Sequence, residues 1–262
     1  MPIRLIEFND APLVHGFKIE IIDKQLLAKY VAILLLGYQD HIETIISSQD
    51  INNPTIPDKS INNIIQKISN GIETIKRDGW FFQMISWIAV QIAYKDKKIY
   101  SQIPHDAPAQ HGIDGILVIM NEQGKLEKII ITEDKATENP RNKIQQDIFP
   151  EFKKFETGQY DHKLVNRITG FLKYISPTDL LREIQNDIYR LDLRKYRIGI
   201  THDDSYNTLD GYTRLFKDYD YTVSDADNTR RSAATFFDSN LRNWMEDFSK
   251  LIIKELENLK NV

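Results

Sequence analysis

The sequence predicts an α+β protein, a mixed sheet flanked by helices, on three observations. Long stretches carry apolar residues three and four apart, as in Ile61, Ile64, Ile65, Ile68, Ile72 and Ile75, which is the spacing of a helix that buries one face. Three later segments, Lys98–Ile103, Ile113–Met120 and Lys128–Thr137, change to the pattern of strands. A fourth strand pattern, Tyr196–Thr201, follows a helical insert, and such a succession of helices and strands packs as layers.

Taken in order, Phe17–Ile22 alternates as a strand and Lys24–Ser48 carries a helical pattern. Asn52 to Asp58 contains two prolines and two asparagines and reads as a connector. Lys59–Lys76 is the next amphipathic helix, so residues 1–76 form a mostly helical N-terminal region ahead of a domain spanning 77–262. Trp80–Tyr94 is apolar on nearly every side, as expected of a helix buried against a sheet. The second and third strands meet through Asn121-Glu122-Gln123-Gly124-Lys125, a hairpin turn. Asn139-Pro140 stops the third strand and Asn142–Phe155 resumes a helical pattern. Ser232–Leu259 reads as one long helix whose stripe of Phe236, Phe237, Leu241, Trp244, Phe248, Leu251, Ile252 and Leu256 suits either a core position or an interface.

Composition narrows the function classes. With no cysteine, disulfide frameworks, thiolate metal sites and cysteine nucleophiles are excluded. Hydrophobic residues at 41% and charged residues at 27% are too apolar a mixture for wholesale disorder. The apolar run Val31–Gly37 falls far short of the roughly 20 residues of a spanning helix. Met1–Asp10 mixes charges with apolar residues instead of following the basic-then-apolar plan of a signal peptide, so a cytoplasmic location away from membranes is expected. A net charge of −4 argues against a generally polybasic nucleic-acid binder but permits a local basic groove. Arg182, Arg190, Arg194, Lys195, Arg197, Arg230 and Arg231 are candidates to line one, although helix charges interspersed with acids more commonly form a solvated face. Phosphate loops, nucleophile elbows and dinucleotide fingerprints are all missing.

The chemistry concentrates in the hairpin. Both strands are apolar enough to be buried, yet Asp114 interrupts one and Glu133-Asp134-Lys135 interrupts the other. Buried charges need partners or a metal. Folding the hairpin between Gln123 and Gly124 sets Asp114 opposite Glu133, where side chains are near neighbours. Alternation along the strand puts Glu133 and Lys135 on one face and Asp134 on the other, leaving Asp134 only its backbone carbonyl to offer there. Two carboxylates so close do not both ionise cheaply without a cation between them, and oxygen ligands favour a hard ion, Mg²⁺ or its substitute Mn²⁺. Lys135 then stands beside a metal-bound water or a phosphate oxygen, which points to phosphodiester hydrolysis. Acid-x-Lys alone means little, since Glu151-Phe152-Lys153 matches it inside a predicted helix.

On these residues the chain resembles the PD-(D/E)xK nuclease superfamily, with Asp114 as the first acid, Glu133-Asp134-Lys135 as the triplet, and Ile113 at the position of the name-giving proline. The resemblance covers about residues 79–204 and extends more loosely to antiphage effector nucleases of the Lamassu, Hachiman and CBASS kind. It implies a restriction-endonuclease-like core and a Mg²⁺-dependent DNA endonuclease that works as an oligomer or in a hetero-complex. A protein partner, an ATPase or helicase among the candidates, would regulate or target it. It also implies an acid on the helix before the Asp strand, and Trp80–Tyr94 has none. Gln83, Gln91 or Glu73 could take its place, with Gln91 preferred as a metal ligand. Gln145, Gln146 and His111 are expected on the substrate side. A stand-alone type II restriction endonuclease and a degenerate, non-cleaving nuclease fold used for binding are the alternatives.

Overall fold

The computed structural model describes residues 1–10, 13–48, 54–108, 112–173, 178–226 and 228–261. Seven strands form one mixed sheet in the order β1-β2-β7-β6-β5-β4-β3, with helices on both faces. They are β1 Ile3–Asp10, β2 Val14–Ile21, β3 Lys98–Ser101, β4 Gly115–Met120, β5 Leu126–Lys135, β6 Arg194–His202 and β7 Arg231–Phe237. The strands β2, β7, β6 and β5 run parallel, and antiparallel pairs close both ends of the sheet.

One face is covered by α1 (Lys24–Leu35), α2 (Gln39–Ser48), α3 (Asp58–Asn70), α4 (Thr74–Ala93) and α11 (Leu241–Asn258). The stretch read as one helix over Lys24–Ser48 is two, because Gly37 turns the chain at φ +86°, where a side chain would strain the backbone. On the other face lie α5 (Pro140–Lys143), a π-helical turn at Ile144–Ile148, α6 (Phe149–Glu156), α7 (Asp161–Leu172), α8 (Thr178–Asp187), α9 (Leu209–Leu215) and α10 (Tyr219–Thr222).

Two expectations are corrected. Residues 1–76 are not a helical region set apart from the sheet: β1 and β2 are strands of the same sheet, joined to it through the parallel pairing of β2 with β7. The helix read over Ser232–Leu259 is strand β7 followed by α11. Arg231 to Phe236 is buried on both faces, so its apolar residues do not alternate, and sequence period cannot tell such a strand from a buried helix. The apolar stripe of α11 is core, since Leu241, Met245, Phe248, Ile252 and Leu256 are all buried beside α1.

The β2–β7 seam depends on a glycine. A Cβ at Gly16 would stand 1.9 Å from the carbonyl oxygen of Ala233, its cross-strand partner. Because the obstacle is backbone, only strand separation relieves it. Gly16→Ala is therefore expected to cost about 1–3 kcal/mol, the range of overpacked interiors. Denaturant unfolding measures this loss, and faster amide exchange along β2 should accompany it; wild-type stability would show the seam to be looser than described.

Candidate functional site

The site forms at the end of the sheet where β5 finishes and β4 begins. Gly115 pairs with Thr132, Ile116 with Ile131 and Leu117 with Ile130, so the same register carried back one step sets Asp114 opposite Glu133. The turn that fixes this register has Asn121 accepting from the backbone of Lys125 and Gly124 at φ +77°. It slips only near the turn, between Ile119 and Met120.

Three side chains converge there. The Lys135 ammonium donates to Asp114 Oδ2 and to Glu133 Oε2, each at 3.2 Å. Asp114 also accepts from the backbone amide of Asp134 at 3.0 Å and, through Oδ1, from Gln83 Nε2 of α4 at 2.8 Å. Its carboxylate is thus held by three donors from two elements, β5 and α4. Glu133 is nearly buried and its Oε1 has no hydrogen-bond partner. Burial first, and the charge of Asp114 second, push the Glu133 carboxyl well above the usual carboxylate range, with Lys135 pulling the other way. For Lys135 burial favours the neutral amine, but the two carboxylates outweigh it and its pKa rises, so the ammonium persists at neutral pH.

Asp134 faces the opposite side of β5, as strand alternation requires. Its Oδ1 accepts from Ser86 Oγ of α4 at 2.6 Å and lies 3.8 Å from Arg197 Nη1 of β6, while the same Arg197 nitrogen donates to Ser86 Oγ at 2.9 Å. Burial raises the Asp134 carboxyl to about 6, with the Arg197 guanidinium acting against it. The side chain passes directly over Gly199, the residue paired with it on β6: a Cβ there would meet Asp134 Oδ1 at 1.8 Å.

Of the other expected residues, Gln91 is not at the site. Its amide donates to Ser101 Oγ of β3 at 2.8 Å, and it lies eight positions beyond Gln83, about 12 Å farther along the helix axis. Gln83 is the α4 residue that reaches Asp114, and Ser86, one turn on, shares its face. Gln145 and Gln146 are exposed on the π-helical turn after the triplet, and no hydrogen bond among the described residues ties either to Asp114, Glu133 or Lys135. His111 lies outside the described residues.

Several arginines suggested for a basic groove are interior instead. Arg194 is fully buried and donates to the carbonyls of Ile188 and Phe155; Arg231 binds those of Leu13, Val223 and Asp225; Arg230 pairs with Glu156. Ser86 is the member of the site that pattern reading missed, and Arg197, read there as a groove cation, is instead buried beside Ser86 and Asp134.

For a hard cation the donors on hand are the Asp114 and Glu133 carboxylates and the Asp134 carbonyl, with the Gln83 amide beside them. Among the described residues no group of three His, Cys, Asp or Glu side chains is placed to hold a metal. Neither a protein-family model, nor a curated protein, nor a solved structure matches this chain.

Proposed function

We propose that the chain is a Mg²⁺-dependent endonuclease hydrolysing phosphodiester bonds of DNA. The observation that carries this reading is the convergence of Asp114, Glu133 and Lys135 on one face of the sheet end, with a buried Glu133 oxygen left without a partner. Two carboxylates opposite each other across the hairpin, one of them pushed toward protonation by burial and then by the charge of the other, form a donor set that a small divalent cation fits. Mg²⁺ keeps several of its waters, so two carboxylates suffice to hold it.

Asp114 and Glu133 would hold the ion with the Asp134 carbonyl, and when bound it would polarise the phosphoryl group and acidify a water. Lys135 remains charged and offers N–H donors at the rim of the site, where it offsets negative charge that builds on phosphate oxygens during attack. Gln83 and the Asp134 amide fix the orientation of Asp114. Hydrolysis adds water across a P–O bond, and the proton lost by the water ends on the departing sugar oxygen. A role as a restrained effector in antiviral defence belongs to the same proposal and comes from the family resemblance.

A second reading has its own observation: α4 presents an amide, Gln83, where an acid would strengthen metal binding, as in a nuclease fold retained for binding alone. Cleavage of DNA by the purified protein separates the two. Mg²⁺ or Mn²⁺ is expected to support cleavage, while Ca²⁺, with longer bonds and looser geometry, supports DNA binding without turnover. Undiminished cutting in excess chelator would exclude the metal mechanism, and tight metal-independent DNA binding without cutting would select the second reading.

A further inference from the structure

At the opposite end of the parallel strands lies a second group of cations, beneath the C-terminal half of α4. Lys195 stands four residues before Gly199 on β6, which sets it about 13 Å along the strand from the level of Asp134. Its Nζ is 2.7 Å from His15 Nε2, and His15 Nδ1 is 3.1 Å from the Asn228 carbonyl oxygen. A carbonyl only accepts, so Nδ1 carries the imidazole proton and Nε2 accepts from the ammonium. Two of the three Lys195 N–H donors remain.

Those donors have space to act in. Lys195 and His15 line an inner cavity of about 20 Å³, room for a single water, together with Arg197, Tyr94 and Ser232. The same two residues line an open outer groove of about 680 Å³, with Asn9, Phe17, Asn228 and Glu7 along it. Among the described residues no carboxylate pairs with Lys195, and Glu7 is exposed on the groove wall. The charges acting on Lys195 are Lys128 and Arg197, both cations; with burial as the largest cause they bring its ammonium down to about 8. Burial, then Lys195 itself, lowers the His15 pKa.

We propose that Lys195, oriented by His15, forms an anion site that takes the phosphoryl group of a nucleotide, separate from the Asp114–Glu133–Lys135 centre. A half-buried ammonium whose protein partner is a neutral imidazole is stabilised by a charge-assisted bond to an anion, and with Arg197 and Lys128 near, a dianion is favoured over a monoanion. The groove is far larger than one phosphate. Its Phe17 wall offers an aromatic surface to an attached base. The phosphoryl group comes either from a free nucleotide or from the terminal phosphate of a nucleic-acid strand, since the phosphodiesters within a strand are monoanions.

Calorimetric titration of the full-length Glu133→Ala variant in chelator tests this, because the catalytic carboxylates then neither cleave nor hold phosphate through a metal. The probes are inorganic phosphate, adenosine monophosphate and a short 5′-phosphorylated DNA duplex, at constant ionic strength. Saturable phosphate binding is expected, weakened about tenfold or more by adding Lys195→Gln, and similarly by His15→Phe, at unchanged melting temperature. A monophosphate that binds tighter than phosphate identifies a free nucleotide as the source; a duplex that binds tighter than both, with the same loss on Lys195→Gln, identifies the strand. Absence of saturable binding, or binding unchanged by both substitutions, overturns the proposal. Neither outcome bears on cleavage by the wild-type protein with Mg²⁺.

Discussion

Glu133→Ala, Asp114→Ala and Lys135→Ala are each expected to reduce Mg²⁺-supported DNA cleavage by about 10²–10³-fold or more, the cost of removing one group aimed at developing charge. Their effects on stability should differ in sign. Glu133 is a buried carboxylate held against its neighbour's charge, so its removal leaves the fold as stable or more so. Lys135→Ala leaves two carboxylates facing each other with no cation between them, and its melting temperature should fall. Mg²⁺ should then raise the melting temperature of Lys135→Ala more than that of wild type, because the ion supplies the missing charge. Cleavage assays and thermal melts on the same preparations read both effects. If Glu133→Ala cuts DNA at the wild-type rate, the proposed centre is not the one at work.

Asp134→Ala is expected to behave in the opposite way, with a large loss of stability and a small loss of chemistry. The substitution leaves the Arg197 guanidinium buried with Ser86 as its remaining side-chain partner. Breaking a buried pair from one side costs about 3–5 kcal/mol, which for a chain of this size lowers the melting temperature by on the order of 10 °C. Cleavage per folded molecule should persist, since the Asp134 carbonyl remains in place. Arg197→Met added to Asp134→Ala removes the stranded charge and should recover most of the loss. A double variant no more stable than Asp134→Ala alone would mean that Arg197 is not what Asp134 supports.

The juxtaposition of Asp114 with Glu133 was legible because a hairpin is local: its turn residues and two strand lengths determine the register, and the side-chain alternation follows. The same is true of Asp134 turning away. Strand β7 was not legible, because its partners β2 and β6 are distant in sequence and its two buried faces erase the alternation that marks a half-exposed strand. On α4, helical period distinguishes faces but not levels along the axis, so nothing in the sequence ranks Gln83 above Gln91; the choice is made by where Asp114 lies beside the helix. Arg194 and Arg231 resemble surface cations in sequence, since their partners, the Asp161 carboxylate and the Phe155 carbonyl for Arg194 and the Leu13 carbonyl for Arg231, lie far away along the chain and leave no local pattern to read.

The pairing of β2 with β7 brings together segments more than two hundred residues apart in the chain. During synthesis, Asp114, Glu133 and Lys135 all emerge while β6, β7 and α11 have yet to be made. At about 5–20 residues per second, the roughly one hundred residues from Lys135 to the end of β7 occupy about 5–20 s. For about the first two thirds of that interval β5 lacks its inner neighbour β6, and throughout it the hydrophobic layer shared by α1, α4 and α11 lacks its last helix. The nascent protein thus carries Asp114, Glu133 and Lys135 before β6 brings Arg197 beside Asp134, and its unpaired β5 edge is then open to association with other chains.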